Sequence, residues 1–298
     1  MIVRQQKSLP VSYLYGVGGL VTVLMIMMVS IRAMMVPTVT ATCDERYKQG
    51  VRFSWARQSG EALTTGDLQG KLAGRDWGLI ENVRMLKLAD APAPVVLEVD
   101  LKTRGQAVEE REDARSGMGF IWLPKAVQKA GSGCLSYSIW VPADFDFGSG
   151  GVLPGIFADE QILAPAANGD IPTSKPFSVQ MRWRPDASLE LAVLTQKHGQ
   201  VWELPLKPSQ PVLLERGRWV RIEQEIKMNE PGAANGTLRA WVDGALGLEL
   251  GDIDFRKLAE QTMTGVNVDI HFVDHRMQWA PAAKNTRMRL SPLELRIE

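Results

Sequence analysis

Residues 269–275 read "DIHFVDH", which brings two aspartates and two of the chain's three histidines into one short run. On a strand, His271 and His275 share a face, with Asp269 beside them. Imidazoles and a carboxylate so placed suggest either metal binding or polar residues lining a concave sheet. Strand residues four apart stand roughly 13 Å apart, too far to share one ion. No metal and no cofactor are therefore expected. Other reactive signatures are missing. Cys43 and Cys134 lack the spacing of a zinc or redox pair. No G-x-S-x-G elbow occurs, and the Gly-rich "GVGG" lies inside an apolar run rather than after a strand. Residues 150–157, "GGVLPGIF", have the glycines and proline of a tight, rigid loop, yet the side chain held there is Val152, which cannot move a proton.

These residues need elements to position them, and the elements read as strands. "FSVQMRWR" sets Phe177, Val179, Met181 and Trp183 on one face and Ser178, Gln180, Arg182 and Arg184 on the other. "RWVRIEQEIKM" opposes Val220, Ile222 and Ile226 to Trp219, Arg221, Glu223 and Glu225. In "GTLRAWVDGALGLEL", Asp243-Gly244 supplies the positive φ angles of a two-residue hairpin turn. "MRLSPLELRIE" reads as a closing strand, and "IDFRKLAEQ" (253–261) as the best helical segment. Trp183, Trp219, Trp241 and Trp279 lie in or near these strands, either as sandwich core or as faces on which sugars could stack. Many short strands argue for an all-β sandwich.

Residues 11–31, "VSYLYGVGGLVTVLMIMMVSI", carry no charge, enough for one helix to cross a bilayer. A cleaved signal peptide is the rival reading, with "VTA" at 39–41 as its cleavage site. Arg4 and Lys7 precede the run and Arg32 alone follows closely, which places the N-terminus in the cytoplasm and the rest outside. Met25, Met27, Met28, Met34 and Met35 then face lipid or partner helices rather than copper. The expected organisation is a cytoplasmic N-terminus (1–10), a membrane helix (11–36), a linker (37–50) and a β domain (51–298). In an oxidising compartment Cys43 and Cys134 could form one disulfide. The 34 basic and 34 acidic residues cancel, which removes the electrostatic case for nucleic acid.

Three stretches together resemble polysaccharide lyase family 14, the alginate and glucuronan lyases. "LSYSIWVPADFDFGSGGVLPGI" is similar to that family's Tyr-x-x-x-Phe-Pro-x-x-Phe-Asp strand followed by Gly-Gly-Lys-Leu-Pro-Gly-Leu. "FSVQMRWRPD" is similar to its Phe-Ser-x-Arg-x-x-Trp strand. "GRWVRIEQEIKMNEPGAANGTLRAWVDG" is similar to its Gly-x-Trp, Asn-x-x-Gly and Trp-x-Asp-Gly elements. The resemblance implies a concanavalin-like jelly roll and uronate β-elimination. That reaction needs a group to neutralise the carboxylate, a base for the C5 proton and an acid for the leaving oxygen. The family supplies them with a lysine, a serine, an arginine and a pair of tyrosines. Here Ser178 matches the serine. Val152 stands for the lysine and Gln180 for the arginine, and "LELAVL" (189–194) holds no tyrosine.

The expectation is thus a jelly roll on a single membrane anchor that has lost its lyase chemistry. It would act as a glycan-binding module or as an accessory subunit beside other integral membrane proteins. Gln180, Arg182, Arg184 and His271 are the residues expected to line a glycan cleft, with acidic polysaccharide and membrane lipid as partners. An active uronate lyase is the alternative.

Overall fold

The alternation in "FSVQMRWR" holds: Phe177, Val179, Met181 and Trp183 are all buried in the core, and their neighbours point away from it. Repeated strand by strand, this pattern builds two antiparallel sheets packed face to face. The structure, a computed structural model, describes Met25 and residues 41–72, 76–103, 116–158, 177–195, 200–259, 261–273 and 278–298. The membrane helix expected over 11–36 lies outside them, Met25 apart. Among the described residues no helix is long and apolar enough to cross a membrane.

The first sheet has nine described strands. Its main path runs β13 (Ala245–Ile253), β12 (Gly236–Val242), β11 (Trp219–Lys227), β6 (Ser132–Trp140), β16 (Thr286–Leu290), β4 (Val95–Leu101) and β3 (Val83–Lys87). Strand β17 (Leu293–Ile297) also pairs with β6 and carries β1 (Gln49–Phe53) on its far side. The second sheet has eight, in the order β10 (Trp202–Pro205), β9 (Leu189–Leu194), β8 (Ser178–Trp183), β7 (Gly151–Phe157), β14 (Gly265–Val273), β5 (Met118–Trp122) and β2 (Asp76–Trp77), with β15 (Trp279–Ala280) on β14. One apolar core fills the space between them.

The hairpin turn forms as expected, with Asp243 at φ 50° and Gly244 at φ 76° between β12 and β13. Three expectations are corrected. "GGVLPGIF" is strand β7 rather than a loop; only Gly150, at φ 96°, belongs to the turn before it. Residues 254–261 form no helix where described, because the Asn229 side chain holds them: its Oδ1 accepts from the amides of Phe255 and Arg256. The closing segment is two strands, β16 and β17, joined across Ser291 and Pro292.

Within the stretch expected as a linker, Cys43 and Tyr47 pack against the β domain. Helix α1 (Cys43–Arg46) lies on the outer face of the nine-stranded sheet, where Cys43 and Cys134 form a disulfide with Cα atoms 5.7 Å apart. Beside it, the buried Glu225 carboxylate accepts from the Tyr47 hydroxyl at 2.8 Å and pairs with Arg46 at 2.8 Å and Arg239 at 2.7 Å. Polar composition suggested a tether; Cys43 and Tyr47, both buried, make it a strap.

Candidate functional site

The outer face of the eight-stranded sheet gathers the residues singled out above. Cross-strand register sets them in rows. Gln180 on β8, Gly155 on β7, Asn267 on β14 and Ile121 on β5 make one row. Arg182, Val152 and His271 make the next. Ser178 pairs with Phe157 in a third.

Strand β7 holds the middle of this face, and its shape answers why the glycines and proline are there. Val152 and Gly155 both stand in outward rows although three positions separate them, which a regular strand forbids. The ladder breaks between them on both sides, at a bulge. Pro154 sits in the break, where no ladder amide is needed. Its carbonyl accepts from the Tyr137 hydroxyl at 3.0 Å and from Gln224 Nε2 at 2.7 Å, both reaching across the core from the other sheet. A side chain on Gly151 would strike the Trp183 ring, and one on Gly155 would strike the Val179 carbonyl. The motif is therefore a device for close packing between sheets.

Val152, where the family resemblance places a lysine, is only 3% exposed, between Arg182 and His271. The two arginines are already paired. Arg182 Nη1 lies 3.1 Å from Glu203 and 3.5 Å from Glu190; Arg184 Nη1 lies 3.0 Å from Glu190. Glu190 is 2% exposed on β9, the strand on which the tyrosines were sought. Of the four tyrosines, Tyr137 is in the core and Tyr47 is on the other sheet; Tyr13 and Tyr15 lie outside the described residues.

The other half of the face centres on Asp269. Asn267 Nδ2 donates to its carboxylate at 2.7 Å. The Trp77 indole and the Gln180 amide also stand close enough to hold its pKa down. Burial is nevertheless the largest influence, and the net shift is upward, with the positive charge of His271 opposing it. Gln180 Nε2 has no aligned partner among the described residues. The His271 ring meets Trp77 edge to face at 5.4 Å, and its Nδ1 lies 2.9 Å from the Phe272 carbonyl, which fixes the proton on that nitrogen. Trp77 and Asp269 both lean over Gly119, whose missing side chain makes room for them.

Gln180, Arg182, Arg184 and His271 stand on one face of this sheet, while His198 and His275 lie outside the described residues. Trp183 and Trp241 are core, so neither offers a stacking face. Trp77, Asn267, Glu190 and Glu203 were not singled out from the sequence. The period-two run Asn267, Asp269, His271 and the lone glutamate in "LELAVL" were the available signals. The described residues hold no cluster of three or more metal-ligating side chains. A cavity of about 330 Å³, lined by Asp100, Asp144, Asn285 and Arg287 among others, shares no residue with this face.

The sequence model of polysaccharide lyase 14 matches residues 91–205 and 210–289. Similar solved structures include an alginate lyase from Aplysia kurodai, at 16% identity and a TM-score of 0.63 over 83% of this chain and 98% of that one. An alginate lyase from Chlorella virus gives 15% and 0.58 over 73% and 90%. The endo-β-1,4-glucuronan lyase of the fungus Trichoderma reesei gives 10% and 0.52 over 72% and 87%. At such identities the likeness is one of fold. No curated protein matches the chain.

Proposed function

The chain belongs to the polysaccharide lyase 14 family, and we propose that it binds glycan on the outer face of its eight-stranded sheet without cleaving it. The observation that carries this is the pairing of Arg182 and Arg184 with the buried Glu190, around a buried Val152. β-Elimination from a uronate requires a cation or strong donor set on the substrate carboxylate. Here the two guanidiniums on the face already neutralise protein carboxylates. A phenol to give and take the C5 and leaving-group protons is also missing from the described face. Losing one proton-transfer group costs about 10²–10⁴ in rate, and this face lacks more than one.

The domain is carried at a membrane by the apolar segment 11–36, outside the cytoplasm, among membrane lipid and other integral membrane subunits. The charge asymmetry about that segment supports this. So does the Cys43–Cys134 disulfide, a bond that persists in oxidising compartments.

The test is incubation of the full chain, at high concentration and for long times, with alginate and with glucuronan. The readout is the ultraviolet absorbance of unsaturated uronate, and no product is expected. Turnover on the order of 1 s⁻¹ or faster would show that His271, Asp269 or an arginine has replaced the missing groups, and the binding-only reading would fall.

A further inference from the structure

We propose that the glycan held on this face is a neutral polysaccharide and not a uronate polymer; this rests on the glycan-binding reading above. A polyuronate brings one negative charge per sugar, and its recognition needs cations whose charge is not already satisfied. Charge on the β8–β9–β10 half of the face cancels: Arg182 and Arg184 against Glu190 and Glu203. A substrate carboxylate at Arg182 would compete with Glu203 and Glu190 for a charge they already balance. Glu190 is 2% exposed, so displacement would leave a buried carboxylate without its partners, which is strongly unfavourable. On the β14–β5–β2 half the charge of His271 is likewise met by a carboxyl of the protein, that of Asp269.

What that half offers is the equipment for hydroxyl groups. Asp269 is an acceptor held in place by Asn267, and Asn267 and Gln180 are planar amides that can donate and accept. Gln180 reaches toward the Asp269 carboxylate as Asn267 does, so the two amides hold that acceptor from both sides. Trp77 borders the same cluster and is half-buried, an apolar plate for the carbon face of a sugar ring. Polar groups fixed around one aromatic plate are how an uncharged sugar is oriented in a site.

The experiment uses two pairs of oligosaccharides matched in backbone and linkage. One pair is β-1,4-glucan and β-1,4-glucuronan; the other is β-1,4-mannan and β-1,4-mannuronan. Within each pair only the oxidation of C6 differs. Each is titrated calorimetrically into the full chain in neutral detergent at low ionic strength. One neutral oligomer is expected to bind about tenfold or more tightly than its uronate twin. Glu203→Gln, at a half-exposed position, releases charge on Arg182 and is expected to narrow that ratio several-fold. Gln180→Ala and Trp77→Ala are each expected to weaken neutral binding about tenfold. Equal or tighter binding of a uronate twin would overturn the neutral assignment and leave glycan binding standing. Undiminished neutral binding in both Gln180→Ala and Trp77→Ala would place the site elsewhere and overturn it as well. No binding of any of the four would overturn the glycan-binding reading itself.

Discussion

Removing the Cys43–Cys134 disulfide is the perturbation whose size follows most directly from the structure. The two cysteines are 91 residues apart. In the chain-entropy treatment a loop of that length restricts the unfolded chain by about 15.5 cal/mol/K, or about 4.6 kcal/mol at 25 °C. Alanine is the right replacement, because both positions are fully buried and a serine hydroxyl would add a cost of its own. The strap keeps its other attachments, Arg46 and Tyr47 on Glu225, which preserve the native arrangement without restraining the unfolded chain. The double variant Cys43→Ala/Cys134→Ala is therefore expected to lose about 3–5 kcal/mol and about 10 °C in Tm. All nine tryptophans fall between Trp55 and Trp279, so urea unfolding of the full chain followed by their fluorescence reports on the β domain alone. Glycan binding should be unchanged below the melting range, because the bond lies on the outer face of the other sheet. A loss below about 1 kcal/mol would refute the reasoning, since it would mean the unfolded chain keeps residues 43 and 134 together without the bond. Lost glycan binding at intact fold would refute the separation of the two faces.

Two further outcomes are expected. Burial raises the Asp269 carboxyl above its ordinary 3.8, so the folded chain holds that proton more tightly than the unfolded one. The stabilisation is complete below that value and is lost as the pH climbs through the raised one; Asp269→Asn should remove this part of the slope, gaining on the parent from about pH 4 upward, and parallel unfolding curves from pH 4 to 8 would contradict it. For topology, protease added to intact spheroplasts should degrade residues 41–298, and full protection there would reverse the orientation drawn from Arg4, Lys7 and Arg32.

What could be read from the sequence was whatever a single strand decides by itself. The burial of Phe177, Val179, Met181 and Trp183 follows from alternation, and the turn at Asp243-Gly244 from local φ preferences. What could not be read depended on partners far away in the chain. Gly151, Pro154 and Gly155 carry the local signals of a loop. They are kept extended by β8 and β14 on either side and by Tyr137 and Gln224 from the opposite sheet. Residues 254–256 lose their helical option to one side chain, Asn229, some 25 positions earlier. On the candidate face, Gln180, Arg182, Arg184 and His271 were visible because they alternate with core residues. That the arginines are neutralised was not visible, because Glu190 and Glu203 arrive from β9 and β10.

The distribution of matched and unmatched family positions then has a physical explanation. Tyr137, Gly151, Pro154, Gly155 and Trp183 each touch something across or within the sandwich: a carbonyl, a ring, a neighbouring backbone. Replacing any of them opens a cavity, strands a buried polar group or forces two strands apart, at a cost of up to several kcal/mol. Position 180 and the outward positions of β9 face away from the core between the sheets, so a change of residue type there leaves that core in place. A family match built on sequence therefore weighs mainly the first group, and reports the sandwich with confidence that the second group does not share. Whether the face cleaves, binds or does neither is decided by side chains that the fold can lose without strain. On this chain those side chains are a buried valine, an amide, two arginines held by glutamates, and an aspartate beside a histidine and a tryptophan. That is a set suited to holding hydroxyl groups in place, and poorly suited to taking a proton from beside a carboxylate.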